Sequence, residues 1–454
     1  MHHIRLWLTA DDLLVNELSH LREEGTDIPP ELEQRIQQLA AKGDAYLSSA
    51  AGQAESGALL DETIALPLRA DCKYIEPSDL AGIREQRPAA VALPDLTIPG
   101  ETRQDKLHGA WLGRCYGCYH GKPVEGLRRL PDETFIMESF LKQTGQWPLK
   151  GYYSLDYPND LLALHNLNQS WKAGPANMPE DDDTNYTTVG FALMESKGTD
   201  FTPEDVATFW LNNIPILHTY TAERVAYRNF CINIDPPASA GYRNPYREWI
   251  GAQIRADFYG YVAPGQPEKA AEYAWRDACI SHVKNGIYGA MWVSAMLAAA
   301  YVTSDIATVI RAGLAQVPEK SRFSESLQQV FSWQASGYSY EEAVRALHAR
   351  WNEKTAHAWC HTISNAQICT IALLWGGGDY AESISRAVLA GFDTDCNGAT
   401  VGSVMGMILG AKALPQELVG RLNDRIYTGV QGYMDCSIAD MSEKMNALID
   451  RLNS

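Results

Sequence analysis

Two groups of aspartates are the residues whose type and spacing could do chemistry in this chain. One is Glu180-Asp181-Asp182-Asp183, followed by Thr184 and an apolar helical run. The other is Asp393-Thr394-Asp395, flanked by Gly391 and Gly398. One or two acids at a helix N-terminus cap orphan N–H groups and complement the helix dipole. Four acids in a row repel one another and exceed that role unless they are solvated or share cations. The two groups supply up to five aspartates, each at the start of a helix that is otherwise apolar. Carboxylates converging on a buried spot need cations to offset their desolvation. All-oxygen ligation selects hard ions, Mg²⁺, Mn²⁺ or Ca²⁺, over zinc. Neighbours on a first helical turn point about 100° apart, so Asp182 and Asp183 are able to lean on different ions of a pair.

Helices must position these acids. From about residue 103 onward nearly every apolar segment has helical length and period, as in EDVATFWLNNI and AESISRAVLAGF, and alternating β-branched runs are scarce. The expected fold is all-α, one multi-helix domain over residues 101–454. Two segments carry glycine at every fourth position: 109, 113, 117 and 121, then 398, 402, 406 and 410. On a helix each row is a smooth ridge. Each glycine costs a helix about 1 kcal/mol relative to alanine, so the rows predict two central helices that pack at close backbone approach, each row being a candidate partner for the other.

Residues 1–100 differ. Leu13, Leu14, Leu18 and Leu21 fall at helical spacing, and a second helix opens at Pro29-Pro30, carries Leu32, Ile36 and Leu39 on one face, and stops at Gly43. The Ser/Ala/Gly-rich SSAAGQAESGA and the proline-punctuated segment through Pro99 read as a largely irregular connector. Residues 1–100 are thus expected to be a helical N-terminal extension and connector.

Composition removes several function classes. Of 454 residues, 46% are apolar and 21% charged, which excludes wholesale disorder. With 38 basic against 56 acidic residues the net charge is −18, a field that repels nucleic-acid backbones and anionic membranes. Neither is an expected partner. The uncharged stretch Gly286 to Val302 is short and rich in small residues, which predicts a buried helix rather than a membrane span. Asp11 and Asp12 interrupt any signal-peptide core, and nine irregularly spaced cysteines read as free thiols in a reducing cytoplasm.

The segments GAWLGRCYGCYHGKPVEG, DDDTNYT and GFDTDCNGATVGSVMGMILGA, with IGAQIRAD and RDACISH between them, fall in the order of five motifs of one family. On these residues, over roughly 105 to 412, the chain resembles the ADP-ribosylglycohydrolase family. The resemblance implies a compact all-α fold with a binuclear Mg²⁺ or Mn²⁺ site (Ca²⁺ is also compatible with the oxygen donors). It further implies hydrolysis of the glycosidic bond at ribose C1 of a small ADP-ribosyl or related riboside substrate. Carried over by position, the metal ligands are Asp182, Asp183, Asp393 and Asp395, with Asp181 and Cys396 standing where the family has threonines. Glu125 falls on a glutamate near the active-site mouth that gates substrate or moves a proton, and Asp393 or Asp395 is the candidate base. His282, Gly251, Ala252 and Gln253 fall in substrate-binding positions. Read without the family, Glu125 is a surface acid after a Lys-Pro turn, His282 a histidine at a helix boundary, and His361 a core residue. Asp181 adds charge and Cys396 removes a hydroxyl, which predicts a more anionic shell that grips cations and repels a pyrophosphate. The alternative function is a non-catalytic, crystallin-like structural or ligand-binding member of the same fold.

Overall fold

The computed structural model describes residues 6–127, 135–153 and 176–452. The N-terminal helices are α1 (Ala10–Glu24), α2 (Pro30–Ala40) and α3 (Ala50–Thr63). The later helices that bear on the site are α4 (Gly100–Gly121), α5 (Asp182–Lys197), α6 (Lys284–Ala300), α7 (Thr362–Trp375) and α8 (Thr394–Leu409). Shorter helices fill the spaces between them. Among the described residues the sheet content is one antiparallel ribbon, β1 (Arg425–Tyr427) with β2 (Asp435–Ser437), in which Ile426 faces Cys436. No described helix is long and apolar enough to cross a membrane. The uncharged stretch predicted to be buried lies in α6, whose residues from Asn285 to Ala300 are all buried.

α4 and α8 form the centre, and the two glycine rows meet face to face. A methyl placed on Gly109 would stand 2.4 Å from the carbonyl oxygen of Gly406, on Gly113 2.0 Å from that of Gly402, and on Gly117 2.0 Å from that of Gly398. The partners descend on one helix as they ascend on the other, so the helices run antiparallel. At the end of the row Gly121 meets the carbonyl of Thr394. Close packing of two backbones over four turns offsets the helix-propensity cost of these glycines.

The N-terminal helices share a second apolar cluster, in which Leu13, Leu14, Leu32, Ile36, Leu59 and Leu60 pack with Tyr246, Trp249 and Cys360 from the rest of the chain. One expectation is corrected here: SSAAGQAESGA is helical, forming the first half of α3 rather than connector. Ser49 caps it by accepting the Gly52 N–H at 3.1 Å. Gly52 lets it pass the preceding turn, since a methyl there would stand 2.2 Å from the Tyr46 carbonyl. Its buried face includes Gly52, Ser56 and Gly57, which carry no hydrophobic signal.

Beside this apolar contact, α1 meets the rest of the chain through ion pairs. The Arg322 guanidinium donates to both oxygens of Glu248 at 2.8 Å and to Glu76 at 2.7 Å. Arg247 bridges Glu17 and Glu24, and Lys284 donates to Glu24 at 2.8 Å. Breaking such a buried network costs more than forming it gains, because the remaining charges cannot return to water. Arg322→Leu, which strands Glu76 and Glu248, is expected to lower unfolding free energy by about 3–5 kcal/mol in denaturant titrations. An unchanged midpoint would show that the network is not held in solution.

Candidate active site

Both aspartate groups sit at helix starts, and the central helix pair brings the starts together. Asp181 caps α5 from an extended backbone, its Oδ1 accepting the Asp183 N–H at 3.0 Å, which places Asp182 and Asp183 on the first turn. Ahead of α8 the chain reverses at Gly391 and Phe392, with φ of +90° and +60°. The turn is pinned where Trp359 Nε1 donates to the Phe392 carbonyl at 2.6 Å. Asp393 precedes α8, and Asp395 on its first turn accepts the Cys396 N–H at 3.0 Å. The Thr394 hydroxyl donates to the Gly121 carbonyl at 2.8 Å. This bond fixes the late acids against the end of α4, where Lys122 and Glu125 follow.

Two sets of potential ligand atoms result, each with all members within 4.8 Å of one another: Cys118, Asp181, Asp183 and Asp395, and then Asp393, Asp395 and Cys396. A cavity of about 440 Å³ opens beside them. Lys122, Glu125, Asp182, Asp393, Asp395 and Cys396 line it. Its lining also includes the aromatic rings of Tyr220, Tyr246, Trp249 and Trp359, with Trp7 and Asn16 from the N-terminal segment. Asp181 and Asp183 are buried and do not line the cavity; they pair with two cations of the α4 segment. Arg114 donates to the Asp183 carbonyl at 2.6 Å and to its Oδ1 at 3.1 Å, and pairs with Asp257 at 3.0 Å. The Cys118 thiol donates to Asp183 Oδ2 at 3.5 Å. Lys122 Nζ pairs with Asp181 Oδ2 and lies 3.8 Å from Asp395. Asp182 and Asp393 pair with no protein cation among the described residues.

Burial and the charges of neighbouring acids push the carboxyls of Asp182, Asp183 and Asp393 well above the ordinary range. The charge of Asp395 does the same to Glu125, an exposed residue that also lines the cavity. Burial opposes the charge on Lys122, but Asp181 and Asp395 hold its ammonium firmly protonated. The expectation of a more anionic shell is thereby revised: Lys122 offsets the charge that Asp181 adds.

The substrate-position candidates separate in space. Gly251 lines the cavity, and a methyl there would strike the Glu223 carboxylate at 1.9 Å. Ala252 and Gln253 are buried and do not line it; the Gln253 side-chain Oε1 accepts the Thr362 hydroxyl at 3.0 Å. His282 is buried against Ser281, Nδ1 to Oγ 2.8 Å, away from the cavity wall. His361 caps α7 through Nδ1, which accepts the Ile363 N–H at 3.1 Å. Sequence reasoning missed Lys122, Arg114, Trp7 and Asn16. Lys122 was visible inside GKPVEG and Arg114 inside a glycine row, as charges in otherwise apolar or turn positions. Trp7 and Asn16 gave no signal.

The donor set suits a hard divalent ion. The carboxylates of Glu125, Asp182, Glu223, Asp393 and Asp395 line the cavity, and of its two cysteines, Cys360 and Cys396, the one next to Asp395 is a thiol that burial keeps protonated.

A sequence model of the ADP-ribosylglycohydrolase family matches residues 99–452. Among solved structures, the chain is similar to an ADP-ribosylglycohydrolase-related protein complex at 18% identity and a TM-score of 0.45, over 78% of this chain and 100% of that one. No curated protein matches the chain.

Proposed function

Because the chain belongs to the ADP-ribosylglycohydrolase family, we propose that it is a metal-dependent glycohydrolase acting at ribose C1 of an ADP-ribosyl or related riboside. The observation that carries this reading is one cavity lined by both carboxylates and aromatic rings. That arrangement suits a sugar held by its hydroxyls next to a planar or apolar leaving portion. Asp182, Asp393 and Asp395 would hold a divalent ion, Mg²⁺ or Mn²⁺. Such an ion, when bound, fixes vicinal hydroxyls and polarises a water. Cleavage at C1 passes through an oxocarbenium-like state that a nearby carboxylate stabilises. Asp393 would take the proton of the attacking water, and Glu125 would serve the leaving group.

The reading is tested by incubating the full chain with Mn²⁺ or Mg²⁺ against ADP-ribosyl-arginine, ADP-ribosyl-serine, O-acetyl-ADP-ribose and simple ribosides. At least one is expected to be hydrolysed, with activity lost in EDTA and restored by Mn²⁺. Metal-loaded protein inert across the whole panel would sink the enzymatic reading and favour a structural or ligand-binding role.

A further inference from the structure

The resemblance to the family implies two divalent ions, yet two of the five aspartates already have cations of the protein's own. Asp183 gives Oδ1 to Arg114 and Oδ2 to the Cys118 thiol. Asp181 gives Oδ1 to the Asp183 N–H and Oδ2 to Lys122. Lys122 also reaches Asp395 at 3.8 Å. All four members of the first ligand set, Cys118, Asp181, Asp183 and Asp395, are therefore in contact with a protein cation or with each other. The second set, Asp393, Asp395 and Cys396, opens to the cavity together with Asp182. An ammonium and a divalent ion compete for the same oxygens, and close like charges repel strongly in a site of low dielectric.

We infer that Lys122 is a built-in monovalent cation that takes the place of one metal ion, so that this chain binds a single divalent ion, on the side of Asp182, Asp393 and Asp395. The inference rests on the proposed metal-dependent reading and sharpens its stoichiometry. It also names the second role of the residue: Lys122 lines the cavity together with Glu125, so a fixed ammonium faces bound substrate from a position where a second ion would otherwise stand. A substrate oxygen or anionic group is the chemistry that such a charge attracts.

The test is metal stoichiometry on the full chain by equilibrium dialysis against Mn²⁺, with electron paramagnetic resonance of the bound ion. The native chain is expected to bind one Mn²⁺ with an uncoupled six-line spectrum. Lys122→Met paired with Asp181→Thr is expected to raise this to two ions with exchange-coupled signals, whereas Lys122→Arg keeps one. Two coupled ions on the native chain would overturn the inference while leaving the metal-dependent reading intact. No bound ion on the native chain would overturn both. The native spectrum alone decides between one ion and two, so the inference stays open to refutation even where the double variant fails to fold.

Discussion

Gly113→Ala is expected to destabilise the protein strongly, although alanine is the better helix former by about 1 kcal/mol. The added methyl would stand 2.0 Å from the Gly402 carbonyl oxygen and 2.7 Å from its carbon. The obstacle is backbone, not a side chain that swings aside, and Gly402 is itself within a helix paired along its length. The two helices must move apart, and every glycine contact along the row loosens with them. Overpacking of this kind costs about 1–3 kcal/mol where side chains give way, and the rigid neighbour puts this case at the upper end or beyond. Gly100→Ala is the internal control, because nothing lies within 4 Å of a methyl there. Thermal melts should show a drop of several degrees for the first and none for the second. Equal melting temperatures would mean that the central pair is not packed as described.

The second large effect separates two neighbouring acids that sequence alone treats alike. Asp182 faces the cavity and pairs with no described protein cation, whereas Asp183 is buried on Arg114. Asp182→Asn is expected to leave the fold intact and to weaken Mn²⁺ binding by more than about 100-fold, beyond the 10–100-fold range seen for residues that only support a ligand. Asp183→Asn removes one partner of a buried ion pair, and its main cost is stability, approaching the roughly 3–5 kcal/mol of a broken pair because Asp257 still serves Arg114. Calorimetric titration with Mn²⁺ and a denaturant midpoint on each variant give the contrast. The reverse assignment, Asp183→Asn losing metal while Asp182→Asn loses stability, would invert the geometry proposed for the site.

What could be read in advance follows from the range of the interactions. The glycine rows were legible because a four-residue repeat is a property of one helix, and burying two such rows has few solutions. The all-α architecture and the buried α6 were legible for the same reason. The pairing of Lys122 with Asp181 spans 59 positions and is invisible in either segment alone, so the acid looked uncompensated. α3 escaped notice because its buried face is made of glycine, serine and two leucines, with little hydrophobic contrast around the helix. The entry of Trp7 and Asn16 into the cavity wall depends on how α1 docks on Tyr246 and Trp249. No local pattern encodes that docking.

The central helix pair also sets an order of events during biosynthesis. α4 emerges early, but the ridge that covers its glycines belongs to α8, near the other end of the chain. At roughly 5–20 residues per second, Asp182 leaves the ribosome about 10–40 s before Asp395 does. Throughout that interval no complete ion-binding set exists, and the nascent α4 has no partner for its bare backbone face. The acids of α5 are not left uncompensated, however, because Arg114 and Lys122 are translated ahead of Asp181 and Asp183. The chain thus makes its own counterions before the carboxylates that need them. Chains interrupted before α8 are expected to engage chaperones and to retain no divalent metal, and on the proposed metal-dependent reading acquisition of the ion is a late, post-translational step.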